Sequence, residues 1–263
     1  TIRPEKDFEI VNPESDSRYR DYWQTYHRIN ARKGVSPDIA RAVMRTNTTA
    51  IAAVMVHRGE ADSMICGAFG EYRWHLDYVN QVLGDETHSP HGALSLMIME
   101  DGPLFIADTH VWSLPTAENL ALVAEGAARH ARRFGVEPKV AFCSQSQFGN
   151  QKRLREAISL LDAKDTDFVY EGEMNIDAAL DPELCSKLLP ENRLNGAANV
   201  LIFGHADAAS AVRNILKMKS EAIAVGPILM GMGNKAHIVT PSITVRGLLN
   251  MAAIAGTPVT QYS

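Results

Sequence analysis

Three stretches hold the residues best suited to chemistry. The first is Ser144-Gln145-Ser146-Gln147-Phe148-Gly149-Asn150, directly after the apolar run Lys139–Cys143. Its hydroxyls and amides can hydrogen-bond a phosphate or an amide, and its place after a strand favours ligand contact over a solvated turn. The second is Gly226-Pro227-Ile228-Leu229-Met230-Gly231-Met232-Gly233-Asn234-Lys235. Glycines let backbone approach a ligand, and Lys235 can meet a phosphate. The stretch matches neither the GxxxxGK[ST] phosphate loop nor the GxGxxG dinucleotide turn, so it is a glycine-rich loop without a defining motif. The third is Thr240-Pro241-Ser242, where Ser242 is placed to cap a following helix whose N-terminus favours an anion.

Other chemistries find less support. The nine histidines show no zinc spacing; His88 and His91 are separated by Ser89-Pro90, which reads as loop and not as one helix face. His110, two residues after Asp108, reads as a strand-end residue. No GxSxG nucleophile elbow is present. Cys66, Cys143 and Cys185 are odd in number and far apart, which argues against a disulfide framework and for buried, inert thiols in a reducing compartment.

The elements that must position these stretches alternate between strand-like and helix-like patterns, the signature of an α/β architecture. Phe8–Val11 is a short strand candidate stopped by Pro13. Residues 18–32 read as a helix with Tyr19, Trp23 and Tyr26 on one core-facing side. Ser36-Pro37-Asp38 opens another helix, and Asp62–Gly67 reads as a buried strand. Ala93–Met99 and Leu104–Ala107 flank the turn signal Glu100-Asp101-Gly102-Pro103, which predicts an antiparallel pair. Thr116 starts a helix with the stripe Leu120, Val123, Ala127, Ala131 and Phe134, stopped at Gly135. Further strands are expected at 139–143, 168–170, 199–203 and 222–225, and helices at 152–161, 206–217 and 244–254. Ligands of such folds sit at the carboxyl ends of strands, which directs attention to the loops 67–73, 144–150 and 226–242.

The chain has 263 residues, enough for one large domain or two modest ones. Its 26 basic and 31 acidic residues give a net charge of −5, which argues against nucleic acid as a partner. No apolar run is long enough to span a membrane. Thr1–Glu5 lack the basic start and apolar core of a signal peptide, and a chain opening on Thr is expected to be processed or part of a longer one.

Ala61–Gly67, Pro115–Glu118, Phe134–Ala141, Glu171–Leu180, Asn199–Phe203 and Ala224–Gly231 occur in an order that resembles the phosphate acetyltransferase (phosphotransacetylase) family over nearly the whole chain. Tyr22–Arg28, Arg32–Pro37 and Ile238–Ser242 look like one branch, the C-terminal phosphotransacetylase-like domain of the large bacterial NADP-dependent malic enzymes. The resemblance implies an α/β, two-lobed phosphotransacetylase-like (isocitrate/isopropylmalate dehydrogenase-like) fold that is N-terminally incomplete. The expected first lobe comprises 1–84 plus 225–263, and the second 85–224.

The departures from the family bear on function. Active members carry Ser-Arg-Gly before the last helix and a carboxylate within it. Here the matching positions hold Thr240, Pro241 and Gly247, so the phosphate-binding cation and the base are missing. The resemblance therefore implies a regulatory domain that binds acetyl-CoA as effector. Thr240, Ser242, Lys235 and Asn234 would form one wall, with Arg73 opposite and Ser144 and Ser146 near the mouth. No cofactor is expected in this chain; NADP and Mg or Mn belong to the malic enzyme domain, which converts malate to pyruvate and CO2. A homodimer or higher oligomer in the cytoplasm is expected, with no nucleic-acid or membrane partner. Two other readings stay open: a working phosphate acetyltransferase with relocated groups, and a purely structural oligomerisation module.

Overall fold

The computed structural model of the chain describes residue 3 and residues 6–146 and 151–257. The N-terminal part is mostly helical. Helix α1 (Tyr19–Asn30) leads through a 3-10 turn (Ala31–Lys33) into α2 (Pro37–Thr46) and α3 (Thr48–His57). Ser36 caps α2 by accepting from the Ile39 amide, and Asn47 caps α3 by accepting from Ala50. These caps satisfy amides that have no partner inside the helix, and so set where each helix begins. Strand β1 (Met64–Cys66) and helix α4 (Tyr72–Leu83) follow.

Tyr22 and Tyr26 are the most deeply buried aromatics of α1. Their hydroxyls are not stranded in the core: Tyr22 donates to Glu60 at 2.6 Å and Tyr26 to Gln81 at 2.9 Å. The predicted stripe is thus core, although Tyr19 and Trp23 lie at its half-buried margin, where Arg41 stacks over the Trp23 ring at 4.4 Å.

Strand β2 (Gly92–Met99) turns at Glu100-Asp101 into β3 (Gly102–Ala107). Helix α5 (Ala117–Arg133), β4 (Lys139–Cys143), α6 (Lys152–Asp162), β5 (Val169–Met174), α7 (Ile176–Leu180), α8 (Pro182–Leu188), β6 (Val200–Phe203) and α9 (Ala206–Lys219) come next. Strand β7 (Ile223–Met230), β8 (Ala236–Ile238) and α10 (Val245–Ala255) complete the described chain. Six strands form one sheet in the order β5-β4-β6-β3-β2-β7, in which β2 alone runs antiparallel to its neighbours; β1 and β8 form a separate parallel pair.

Alternation along the central strands explains the layers. Val140, Phe142, Phe105, Val200 and Ile202 face α5 and α6, while Ala141, Cys143, Leu104, Ile106, Leu201 and Phe203 face the core shared with α7, α8 and α9. Both faces are covered, so these strands read as nearly continuous apolar runs. Helix α5 is fixed at its start by a reciprocal box: Thr116 accepts from the Asn119 amide while the Asn119 side chain accepts from Thr116. A third core joins α1–α4 to β1 and β8.

Three expectations need correction. Phe8–Val11 is not a strand; Phe8 alone makes an isolated bridge. Gly226–Met230 is not loop, because β7 runs on through Gly226-Pro227. A register shift opposite Leu94–Leu96 takes up the extra residue, Pro227 needs no ladder amide there, and Gly226 adopts φ +116°, where a Cβ would lie 2.8 Å from the Leu94 carbonyl oxygen. Ser242 does not cap the last helix. Thr244 does, accepting from Gly247 at 3.0 Å. The lobe division anticipated at 224/225 falls inside β7, whose residues pair with β2 as far as Met230.

Two substitutions probe this frame. Thr116→Ala removes an exposed cap and is expected to cost about 1 kcal/mol in denaturant unfolding, with Thr116→Ser close to wild type. Phe142→Ala empties a fully buried site in the central sheet and is expected to cost about 3–5 kcal/mol by the same measurement.

Candidate anion-binding site

Only some of the residues singled out in the sequence meet in space. Asn234 sits in a left-handed turn (φ 62°) after β7 and binds the far end of α10. Its amide nitrogen donates to the carbonyls of Ile254, Ala255 and Thr257, and its oxygen accepts from His237 Nε2 at 2.8 Å. This is a structural clamp, and it borders a separate cavity of about 810 Å³ beside Asp62–Ile65 and Thr257. Lys235 accepts the Met64 amide through its carbonyl, which joins β8 to β1. Its charge is near His57, whose pKa is lowered by burial first, then by Arg28 and Lys235.

Arg73 is exposed on α4. It pairs with Asp77 at 3.1 Å and reaches the Val111 carbonyl at 3.4 Å, bridging to the segment after β3. Ser144 and Ser146 hold each other: Ser144 Oγ accepts the Ser146 amide at 3.1 Å and donates to its carbonyl at 3.0 Å. Ser144 borders a cavity of about 340 Å³ where β4 and β6 end, with Gln151, Phe203 and His205. Gln147–Asn150 of the same loop lie outside the described residues.

Thr240 marks the site with the most pointed chemistry. Its hydroxyl is 3.1 Å from that of Ser242, and it lines a cavity of about 330 Å³ between α9, the start of β7 and the first turn of α10. Gly67 brings this segment into place. It takes φ +95°, and a Cβ there would lie 2.2 Å from the Val239 carbonyl, so only glycine allows the 67–71 loop to pack against the chain leading to Thr240. Into the cavity α9 sends Arg213 and Lys217, and α10 sends Arg246. Glu221 is the one carboxylate among the described lining residues.

The electrostatics are one-sided. Burial pushes the Arg213 guanidinium below its ordinary pKa, and burial together with Arg213 does the same to the Lys217 ammonium. Arg213 also acts on His110, which burial first and then this charge push down to about 4; the His110 ring packs on Tyr72 at 4.7 Å. Next to it, Asp108 accepts backbone amides from Ala93, His110, Val111 and Trp112 at 2.6–3.1 Å. That carboxylate brackets the chain at the end of β3, with burial raising its pKa despite four donors.

The arrangement can attract and hold an anion. Its proton acceptors are few among the described residues: Gly247 has no side chain, Asp108 is taken up by amides, and Glu221 is the carboxylate that lines the cavity. Burial raises the pKa of Cys66 and Cys143 to about 12, so neither offers a thiolate nucleophile at neutral pH.

Sequence reasoning missed Arg213, Lys217 and Arg246. Arg213 and Lys217 are four apart in a predicted helix, which puts two like charges on one face. That repulsive spacing was the available signal. Nothing in the sequence indicated that the face meets the start of the last helix.

Comparison with known proteins sets this geometry in a family. Residues 1–256 match the family described as phosphate acetyl/butaryl transferase. The NAD-dependent malic enzyme of Rhizobium meliloti (strain 1021) is 44% identical over 260 residues, covering 97% of this chain and 34% of that protein. The NADP-dependent malic enzyme of Escherichia coli (strain K12) is 41% identical over 262 residues, with the same coverage. The phosphate acetyltransferase of Nitratidesulfovibrio vulgaris is 30% identical over 255 residues, covering 94% of this chain and 36% of that protein. This chain thus spans about a third of the length of such relatives. The phosphotransacetylase from Streptococcus pyogenes shares the fold, with a TM-score of 0.85 over 95% of this chain and 78% of its own, at 24% identity. The chain belongs to the phosphate acetyl/butaryl transferase family, in the form that occurs as one part of larger malic enzymes.

Proposed function

We propose that this chain is a regulatory, acyl-CoA-binding domain of a multidomain malic enzyme, inactive as a transacetylase, and that acetyl-CoA is its effector. The observation that carries the reading is the pairing of a cationic cavity with missing chemistry. Thr240 and Gly247 both line that cavity, and Pro241 lies between Thr240 and Ser242. Active members of the family place a cation and a carboxylate at the positions of Pro241 and Gly247. Proline offers neither a charge nor an N–H, and glycine accepts no proton. Each lost group typically contributes about 10²–10⁴-fold to rate. Binding depends on different groups: the cavity is lined by Arg213, Lys217 and Arg246, and the nucleotide and pantetheine parts of the ligand need no base.

In the parent enzyme the oxidation and decarboxylation of malate would take place in another domain, with NADP and Mg or Mn bound there. The nucleotide is not set by this chain, since similar relatives carry both NAD- and NADP-dependent names. The effector would act by linkage: if it inhibits, it binds more tightly to the low-activity state, and at saturation it shifts the ratio of the two states by the ratio of its affinities for them. Assembly through this domain into a homodimer or a larger oligomer, in the cytoplasm, belongs to the same proposal.

Calorimetry with acetyl-CoA, run beside a transacetylase assay on one sample, is expected to show binding without acetyl phosphate-dependent turnover. Turnover supports the alternative of a working phosphate acetyltransferase, and absence of both leaves a structural module. Thr240→Asp is expected to weaken acetyl-CoA binding by about tenfold or more, because its carboxylate would occupy the cations of the cavity. Unchanged affinity in that variant moves the site elsewhere.

A further inference from the structure

The end of β5 leaves two buried oxygens without partners among the described residues. Glu173 is 5% exposed; its Oε2 accepts the Gln151 amide at 2.9 Å, while Oε1 accepts nothing. No basic side chain lies within ion-pair distance of it among the described residues. Two residues on, Asn175 Oδ1 is also buried and unpartnered. Asn175 stands at the N-cap of α7, where an asparagine oxygen ordinarily accepts a helix amide, yet it makes no such bond. The backbone around them is well tied. The β4–β5 register slips between Phe142 and Cys143, so Glu173 is the extra residue, and the ladder closes again where Met174 pairs with Cys143 and its carbonyl accepts the Ser144 amide at 2.8 Å. A bulge of this kind re-aims a side chain at the end of a strand. A buried carboxylate with one amide as its partner carries an uncompensated desolvation penalty, and a buried amide oxygen without a donor adds to it.

We infer that Glu173 Oε1 and Asn175 Oδ1 bind a small hard cation, an alkali-metal or alkaline-earth ion, at the carboxyl end of β5. Neither residue lines the cationic cavity, so this site stands apart from the acyl-CoA reading. Ligand chemistry agrees. Both unsatisfied atoms are oxygens, one charged and one neutral, the donor type that hard cations take in place of water. The described residues contain no group of three or more His, Cys, Asp or Glu side chains that could hold a metal, which argues against zinc and its like. A hard cation completes its shell with neutral oxygens and water and needs no such group. Access agrees as well. Gln151, whose amide binds Glu173, and Ile176, which follows Asn175, both line the cavity of about 340 Å³ where β4 and β6 end. Ser144, Gln145 and Gln151 bring further neutral oxygens to that cavity. A water molecule could donate to the two orphan oxygens, but it would leave the carboxylate charge uncompensated, whereas a cation answers both needs.

The test is thermal unfolding in a tetramethylammonium salt, whose methyl groups bar coordination by oxygen, with K+, Na+, Mg2+ or Ca2+ replacing it at constant ionic strength. For at least one of these ions the wild-type Tm is expected to rise by about 2–3 °C per tenfold increase in concentration above Kd. The ion that acts distinguishes alkali-metal from alkaline-earth occupancy. Glu173→Gln keeps the shape of the side chain, removes its charge, and is expected to abolish the response. Asn175→Ala removes one ligand oxygen and no helix cap, so it tests the site even if Glu173→Gln folds poorly; it is expected to need about tenfold more cation for the same rise. A wild-type Tm that is the same in all four ions and in tetramethylammonium overturns the site and leaves water or a proton on the oxygens. A response that Asn175→Ala retains at wild-type concentrations places the cation elsewhere and also overturns it.

Discussion

The ladder between β2 and β7 is the constraint on which the rest of the molecule depends. It holds the last strand of the six-stranded sheet antiparallel to β2 from Ile223 to Met230 and absorbs the Gly226-Pro227 irregularity without ending the strand. Everything that follows is placed by where β7 stops. The turn after Met230 delivers β8 beside β1, and Asn234 in that turn ties back to the carbonyls at the end of α10. The start of β7 forms one wall of the cationic cavity, and the start of α10 forms another. A single strand thus sets the spacing between a sheet that supplies α9 and a strand pair that supports α10.

This placement explains how cations can be held together at all. Arg213 and Lys217 are fixed by a helix whose buried side packs on the sheet, so they cannot turn away from each other by moving α9. Burial disfavours the charged form of both, and at Lys217 the nearby Arg213 charge adds to it. Such penalties count against a small folding free energy, and perturbed charged groups cluster at binding and catalytic sites. The seam next to the cavity shows the opposite solution. There Asp108 is buried and surrounded by four amides, and its polar capacity is used up within the fold. One charged group is satisfied internally, and the other is left facing a space.

Much of the fold was legible because local rules and global packing agree. The Thr116 capping pattern, the Glu100-Asp101 turn and the apolar runs at 139–143 and 199–203 each specify one structure, and the sheet uses all of them. The misreadings have equally local causes. Gly226-Pro227 looks like a strand stop, and only the partner strand, which accommodates an extra residue, shows otherwise. Ser242 and Thr244 are both acceptable caps, and the choice between them is set by where the chain turns off β8 and not by residue type. The seven residues expected at the ligand were chosen by chemistry and by proximity in sequence. Of these, Thr240 lines the cationic cavity, whereas Asn234 is consumed by a helix end and Ser144 and Ser146 by each other. Arg213 escaped notice because its significance lies in being buried without an ion pair among the described residues, and a sequence cannot show that.

The same geometry bears on how a family built for group transfer can serve control. Catalysis requires groups that act on the transition state, and in the proposed reading Pro241 and Gly247 stand where two of them would be. Binding requires complementarity to the ground state, which in the proposed reading the cations lining the cavity would supply. A ligand held between α9 and α10 touches elements that belong to different cores, so its affinity depends on their separation. That dependence is what linkage demands: a ligand that prefers one separation shifts the population toward it, by no more than its difference in affinity for the two. Allosteric coupling is usually about 1–3 kcal/mol, a size that charge-assisted contacts to a cationic cavity can supply. In the proposed role, then, an effector seated between α9 and α10 would draw on the difference between two separations of those helices, and β7, which walls the cavity and pairs with β2, is the element against which that difference would be set.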